Sequence, residues 1–159
     1  MNLYQLSEQV GHRLLAGKLL LVTAESCTGG GIAQCITDIA GSSQWFDRGF
    51  VTYTNQSKQD MLGVSAETLS TYGAVSEQTV IEMVQGALNN SPADIAVAVS
   101  GIAGPGGGSL EKPVGLVWHA WAARNHQTIT QGEHYLGNRQ QVRSQAIETA
   151  LNGILRLLV

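Results

Sequence analysis

Charge is what this sequence has least of. Only 13% of its 159 residues are Asp, Glu, Lys or Arg, against roughly a quarter in an average soluble domain. The nine Lys and Arg are scattered, with no run among them. The basic stripe of a nucleic-acid binder is therefore missing, and neither DNA nor RNA is expected as a partner. An anionic small molecule stays compatible with the net charge of −3, because one or two well-placed cations suffice to hold it. A surface so poor in charge also suits partial burial in a self-interface, so a homodimer or higher homo-oligomer is expected.

Cysteine is nearly as scarce. Cys27 and Cys35 do not form a C-x-x-C pair, and the four histidines are not spaced for zinc. Two reduced thiols are expected, not a disulfide framework or a metal site. No apolar run approaches the ~20 residues of a membrane span. The first five residues lack a basic segment leading into an apolar one, so no secretory signal is read there. No membrane partner is expected, and a cytoplasmic location follows. The length suits one domain over residues 1–159, able to bury roughly 68–70% of its unfolded surface without a metal or disulfide.

What the sequence does have is clear periodicity. Leu3, Leu6, Val10, Leu14 and Leu15 predict an amphipathic helix over 3–16, and the apolar run 19–24 predicts a buried strand. A polar, glycine-rich turn over 25–31 follows, then a helix over 32–39 with Thr28 as its N-cap. Residues 41–49 read as a loop, 50–54 as a strand, and 56–62, 65–72 and 75–89 as helices, the last capped by Ser76. Residues 94–100 and 114–123 are apolar on both faces, as central strands covered by helices are. A more polar strand over 128–136 lies nearer an edge, and a helix over 140–158 closes the chain. The fold class is α/β: a three-layer α/β/α sandwich with a mixed, mostly parallel central sheet.

Three segments carry candidate chemistry. The first is the turn Glu25-Ser26-Cys27-Thr28-Gly29-Gly30-Gly31. A serine in a strand-to-helix turn faces free N–H groups and the positive end of a helix dipole, which favour the oxyanion of an attacked amide. Backbone N–H groups from Thr28 to Gly30 are the expected donors; a tight cap and packing turn is the plainer alternative. The motif is not the G-x-S-x-G elbow. A serine needs a base, and His12, His119, His126 and His134 are not obvious partners. Lys58 serves if burial lowers its pKa; otherwise it is a solvated helix residue.

The second segment, Ser100 to Ser109, holds five glycines between Gly101 and Gly108. They let backbone N–H groups approach a ligand closely, as in an anion or ribose cradle. The loop is neither a Walker loop nor G-x-G-x-x-G opening a helix, and a mobile hairpin connection fits it as well. Lys112 beyond it reaches an anion or is solvated. The third is Arg139 with Arg143, cations in the first turns of a helix, where they oppose the dipole. Either a ligand phosphate or carboxylate or a neighbouring acid explains them.

Together these segments resemble the C-terminal domain family of the competence-damage protein CinA. The matching motifs are Thr23-Ala24-Glu25-Ser26-Cys27-Thr28-Gly29-Gly30, Gly49-Phe50-Val51-Thr52-Tyr53, Gly73-Ala74-Val75-Ser76, Ser100-Gly101-Ile102-Ala103-Gly104-Pro105 with Lys112-Pro113-Val114-Gly115, and Gly137-Asn138-Arg139 with Arg143. The resemblance runs from Leu6 to about Leu155. It implies a serine amidohydrolase acting on nicotinamide mononucleotide, with Ser26 as nucleophile, Lys58 as general base and Tyr53 assisting their hydrogen-bond network. Thr28, Gly29, Gly30, Ser100, Gly101, Gly104, Gly106, Gly107 and Arg139 would bind the substrate. No metal or other cofactor is implied. The sequence departs from the family pattern at Asn138, where many relatives carry aspartate, a change expected to loosen the hold on Arg139. A nucleotide-binding protein without turnover, or an amidase for another carboxamide, accommodates the same residues.

Overall fold

A computed structural model describes residues 1–159. Five strands form one sheet in the order β2-β1-β3-β4-β5. They are β1 (Leu21–Glu25), β2 (Phe46–Val51), β3 (Ile95–Gly101), β4 (Leu116–Ala123) and β5 (Ile129–His134). β2, β1 and β3 are mutually parallel, whereas β4 runs antiparallel to both β3 and β5. The expected mixed, mostly parallel sheet is therefore present, and helices cover both of its faces.

The helices are α1 (Leu3–Ala16), α2 (Gly31–Thr37), α3 (Asn55–Leu62), α4 (Ala66–Tyr72), α5 (Glu77–Asn89) and α6 (Arg139–Leu157). Strand alternation sorts them into two layers. Ile95, Val97 and Val99 of β3 pack with Leu21, Val117 and Trp121 against α1, α2 and α6. Ala96 and Ala98 face the other way with Val22, Ala24, Ala120 and Ala122, against Val80, Met83, Val84 and Ala87 of α5. Large side chains on one face and alanines on the other let α5 approach the sheet more closely than α6 can. Gly86 continues this economy of bulk: a Cβ there would collide with the Leu62 carbonyl at the end of α3.

Local signals explain most boundaries. Asn2 caps α1 in a capping box with Gln5, and Ser65 and Ser76 accept from the N3 amides of α4 and α5. No helix is long and apolar enough to cross a membrane. Two expectations need correction. β2 begins at Phe46, inside the expected loop, and ends at Val51. Its Phe-Asp-Arg-Gly-Phe-Val sequence is a poor strand former, but parallel pairing with β1 from Phe46 to Val51 overrides local preference. Thr28 does not cap α2; the cap position is Gly30, without a side-chain bond.

The order in which strands are added to the sheet reverses at β1. β1 connects through α2 to β2 on one side, and β2 returns through α3, α4 and α5 to β3 on the other. The carboxyl ends of β1 and β3 therefore flank a topological switch point, where open α/β sheets leave a crevice.

Candidate active site

At this switch point Ser26 follows directly on β1, and its N–H donates to the Val99 carbonyl of β3 at 3.0 Å. The next turn is locked from inside by Glu25. This buried carboxylate accepts from the Thr28 hydroxyl at 2.6 Å and from the N–H groups of Ile32 and Ala33 at 2.8 and 3.0 Å. Glu25 thus takes two free amides of the first turn of α2, and its bond to the Thr28 hydroxyl explains why Thr28 is not a cap.

Lys58 arrives from α3. Thr54 caps that helix in a capping box with Ser57, which fixes the first turn and points Lys58 inward. The side chain is 1% exposed. Its Nζ lies 2.9 Å from Ser26 Oγ and donates to the Thr52 carbonyl at 2.8 Å. No carboxylate pairs with it. Loss of hydration lowers its pKa from 10.5 to about 8. The amine is thus a base within hydrogen-bond reach of a hydroxyl.

These groups open into a cavity of about 260 Å³, near the lower end of small-molecule sites. Ser26, Lys58, Tyr53, Ser100, Gly101, Gly104, Gly106, Gly107 and Arg139 all line it. Gly104 has φ +85°, and a Cβ on it would strike Val114, so only glycine fits where its carbonyl accepts from Arg139 Nη1 at 2.8 Å. The glycine loop is both a cavity wall and a hairpin connection: the Ile102 N–H donates to Leu116 and the Gly115 N–H to Ile102. Lys112 neither faces the cavity nor floats in solvent; its ammonium donates to the Tyr72 carbonyl.

Several expected roles move. Tyr53 Oη accepts from Arg139 Nη2 at 2.8 Å and makes no bond to Ser26 or Lys58. β2 ends at Val51 and leaves Tyr53 outside the sheet, more than half exposed at the cavity rim. Thr28, Gly29 and Gly30 do not line the cavity. The Thr28 hydroxyl is turned inward to Glu25, Gly29 lies against Arg143, and Gly30 lies against Val51. Asn138 makes no side-chain bond to Arg139; it caps α6 through the Gln141 amide at 2.9 Å. Neither Arg139 nor Arg143 is paired with an acid, the one salt bridge being Arg48 with Asp47.

Sequence reasoning missed Asn55, Cys27, Ala74, Val75, Ile102 and Ala103 in the lining. Asn55 was within reach, since it stands three residues before Lys58 and so on the same helix face. Ala74 and Val75 were marked only by their place in the motif Gly73-Ala74-Val75-Ser76. Burial pushes the Cys27 thiol up to about 12, so it lines the site as a neutral, inert group. A wider recess of about 450 Å³, with Arg13, Gln131, Asn152 and Arg156 in its wall, contains no nucleophile beside a base. No group of three or more His, Cys, Asp or Glu side chains converges to hold a metal ion.

A cavity beyond the carboxyl ends of parallel strands, with a hydroxyl beside a desolvated amine, places the protein among α/β domains built for small-molecule chemistry. Comparison with known proteins narrows this. The CinA C-terminal domain model matches residues 3–158, and the chain belongs to that family. It is 58% identical over 150 residues to the nicotinamide-nucleotide amidohydrolase PncC of Escherichia coli K12, covering 94% of this chain and 91% of that protein. It is 47% identical over 152 residues to the protein of the same name from Pseudomonas putida, covering 96% and 94%. Among solved structures, the competence/damage inducible protein CihA from Agrobacterium tumefaciens superposes with a TM-score of 0.96 at 51% identity, covering 98% and 94%.

Proposed function

We propose that this protein is an amidohydrolase that converts nicotinamide mononucleotide to nicotinic acid mononucleotide and ammonia, with Ser26 as nucleophile and Lys58 as its base. The 2.9 Å approach of Lys58 Nζ to Ser26 Oγ, inside a buried site, carries the reading. High identity to two nicotinamide-nucleotide amidohydrolases along nearly the whole chain supports the reaction and substrate.

The neutral Lys58 amine accepts the Ser26 proton as Oγ bonds to the carboxamide carbon. The Thr52 carbonyl holds the amine in place during the transfer. The tetrahedral adduct collapses when Lys58 returns that proton to the amide nitrogen, the C–N bond breaks, and ammonia leaves an acyl ester on Ser26. Water then attacks the ester while Lys58 takes its proton, and the same proton returns to Ser26 Oγ as the acid departs. Arg139, at the cavity rim without a carboxylate partner, suits the anionic end of the substrate. The remaining lining residues shape the cavity.

We further propose that residues 1–159 act as one domain, in the cytoplasm, as a homodimer or higher oligomer. The low share of charged residues supports assembly. Sedimentation equilibrium checks it. The reaction is tested by ammonia release from nicotinamide mononucleotide in wild type, Ser26→Ala and Lys58→Ala. Loss in both variants is expected. Wild-type turnover in Lys58→Ala would overturn the pairing, and activity confined to other carboxamides would overturn the substrate.

A further inference from the structure

Arg143 is the cation that the proposed chemistry leaves unused. It stands one turn into α6 without a carboxylate partner. Its Nε donates to the Cys27 carbonyl and its Nη2 to the Thr28 carbonyl, both at 3.1 Å. A full guanidinium charge is therefore directed at the two peptide oxygens that follow the nucleophile.

Those oxygens begin a chain of polar groups. The peptide unit containing the Thr28 carbonyl also contains the Gly29 N–H, which donates to the Ser26 carbonyl at 3.0 Å. The peptide unit containing the Ser26 carbonyl also contains the Cys27 N–H. That last N–H donates to no acceptor within the fold. Cys27 lines the cavity immediately after Ser26. Of the other N–H groups of the turn, Ile32 and Ala33 donate to Glu25, Gly31 to the Thr28 carbonyl and Gly29 to Ser26, while Thr28 and Gly30, which also lack an acceptor in the fold, belong to residues that do not line the cavity. Linked hydrogen bonds in a low-dielectric interior polarise one another in series.

We infer that the Cys27 N–H is the donor that stabilises the oxyanion formed at the substrate carboxamide, and that Arg143 is a positioning residue that polarises it through the two intervening peptide groups. The inference rests on Ser26 being the nucleophile. It moves the oxyanion donor from the Thr28–Gly30 amides expected from sequence to the residue directly after the serine. It also gives Arg143 a task that neither a salt bridge nor direct substrate contact supplies. No bond forms or breaks at Arg143; it acts only through charge and geometry.

The test uses the full chain with Arg143→Gln and Arg143→Lys. kcat and KM are measured for ammonia release from nicotinamide mononucleotide. Affinities are measured for two probes: nicotinic acid mononucleotide, and the mononucleotide of pyridine-3-carbaldehyde, which forms a tetrahedral hemiacetal with a serine hydroxyl. Losing one direct oxyanion donor costs about 10²–10³ in kcat, so removing its polarising charge two peptides away is expected to cost roughly tenfold. KM should hold within about twofold, the aldehyde should weaken as much as kcat, the acid should bind unchanged, and lysine should restore part of the loss. Unchanged kcat in Arg143→Gln overturns the inference, as does equal weakening of both probes, the result of a merely structural role. If Arg143→Gln does not fold, Arg143→Lys gives the same ratio of aldehyde to acid affinity. Wild type that binds the aldehyde but releases no ammonia would sink the proposed reaction while the ratio still measures the relay.

Discussion

Two basic side chains are buried in this protein, and they have different fates. Lys58 sits among α3, β1 and β2; His119 sits in β4 beneath α6. Both lie out of water, and desolvation lowers both pKa values, Lys58 to about 8 and His119 to about 4. His119 is enclosed: its ring stacks on Trp121 with centroids 5.8 Å apart. Its Nδ1 lies 3.2 Å from the Gln131 carbonyl and its Nε2 3.3 Å from Tyr135 Oη, which donates to the Thr149 hydroxyl. Lys58 has one carbonyl, one hydroxyl and a cavity. A perturbed pKa thus records burial, and burial beside a reactive hydroxyl and open space is what suits a group to chemistry. His119 has the larger number of polar and aromatic partners and no route to a substrate.

The largest expected effect breaks the comparison outright. Lys58→Met should lower ammonia release by about 10²–10⁴-fold, the range for a positioned acid–base group. His119→Gln should leave turnover unchanged and instead cost about 1–3 kcal/mol of unfolding free energy, measured by chemical denaturation. Turnover lost with His119 would erase the distinction.

The two groups also titrate in different windows. Lys58 acts as a neutral base, so kcat/KM should climb about tenfold per pH unit below about 8 and level off above it. His119 carries its effect in stability. Its folded pKa, about 4, lies below the ordinary 6.5, so between these values the unfolded chain binds the extra proton. Stability from this group is complete above pH 6.5 and is lost as pH falls through 4, on the order of 3 kcal/mol in all. Denaturation midpoints recorded from pH 7 to 4 check this.

Smaller effects refine the picture near the cavity. Arg139→Ala should raise KM roughly tenfold, the loss of a charged contact to an anionic substrate. Tyr53→Phe should raise it only a few-fold through Arg139. The acid limb of the pH profile should stay in place in Tyr53→Phe, because Tyr53 does not touch Lys58. A shifted limb would return Tyr53 to the Ser26–Lys58 network. The smallest effect concerns the Thr23 hydroxyl, buried without a hydrogen-bond partner. Thr23→Val should be neutral or raise stability by up to about 1 kcal/mol in the same denaturation assay.

The fold was largely legible before any coordinates. Continuous apolar runs placed the central strands and period-3.6 patterns the long helices close to where they lie, and Ser76 marked the start of α5. β2 was not legible, because Asp47, Arg48 and Gly49 form a strand only by pairing with β1. The site was legible in its residue types and less so in its connections. Ser26, Lys58, Ser100, the loop glycines and Arg139 share one cavity, whereas Tyr53 joined Arg139 instead of the lysine. Nothing local could show that Glu25 would occupy the amides of α2, since that depends on where a buried carboxylate turns.

By itself the sequence determined the layers, the family and the residue types that chemistry needs, because periodicity, capping and motif spacing are written locally along the chain. Only the tertiary structure decided that an amine thirty-two residues from Ser26 would lose its water and meet that hydroxyl. Hydration, and with it basicity, is set by what packs around a group, and no stretch of sequence contains its own surroundings.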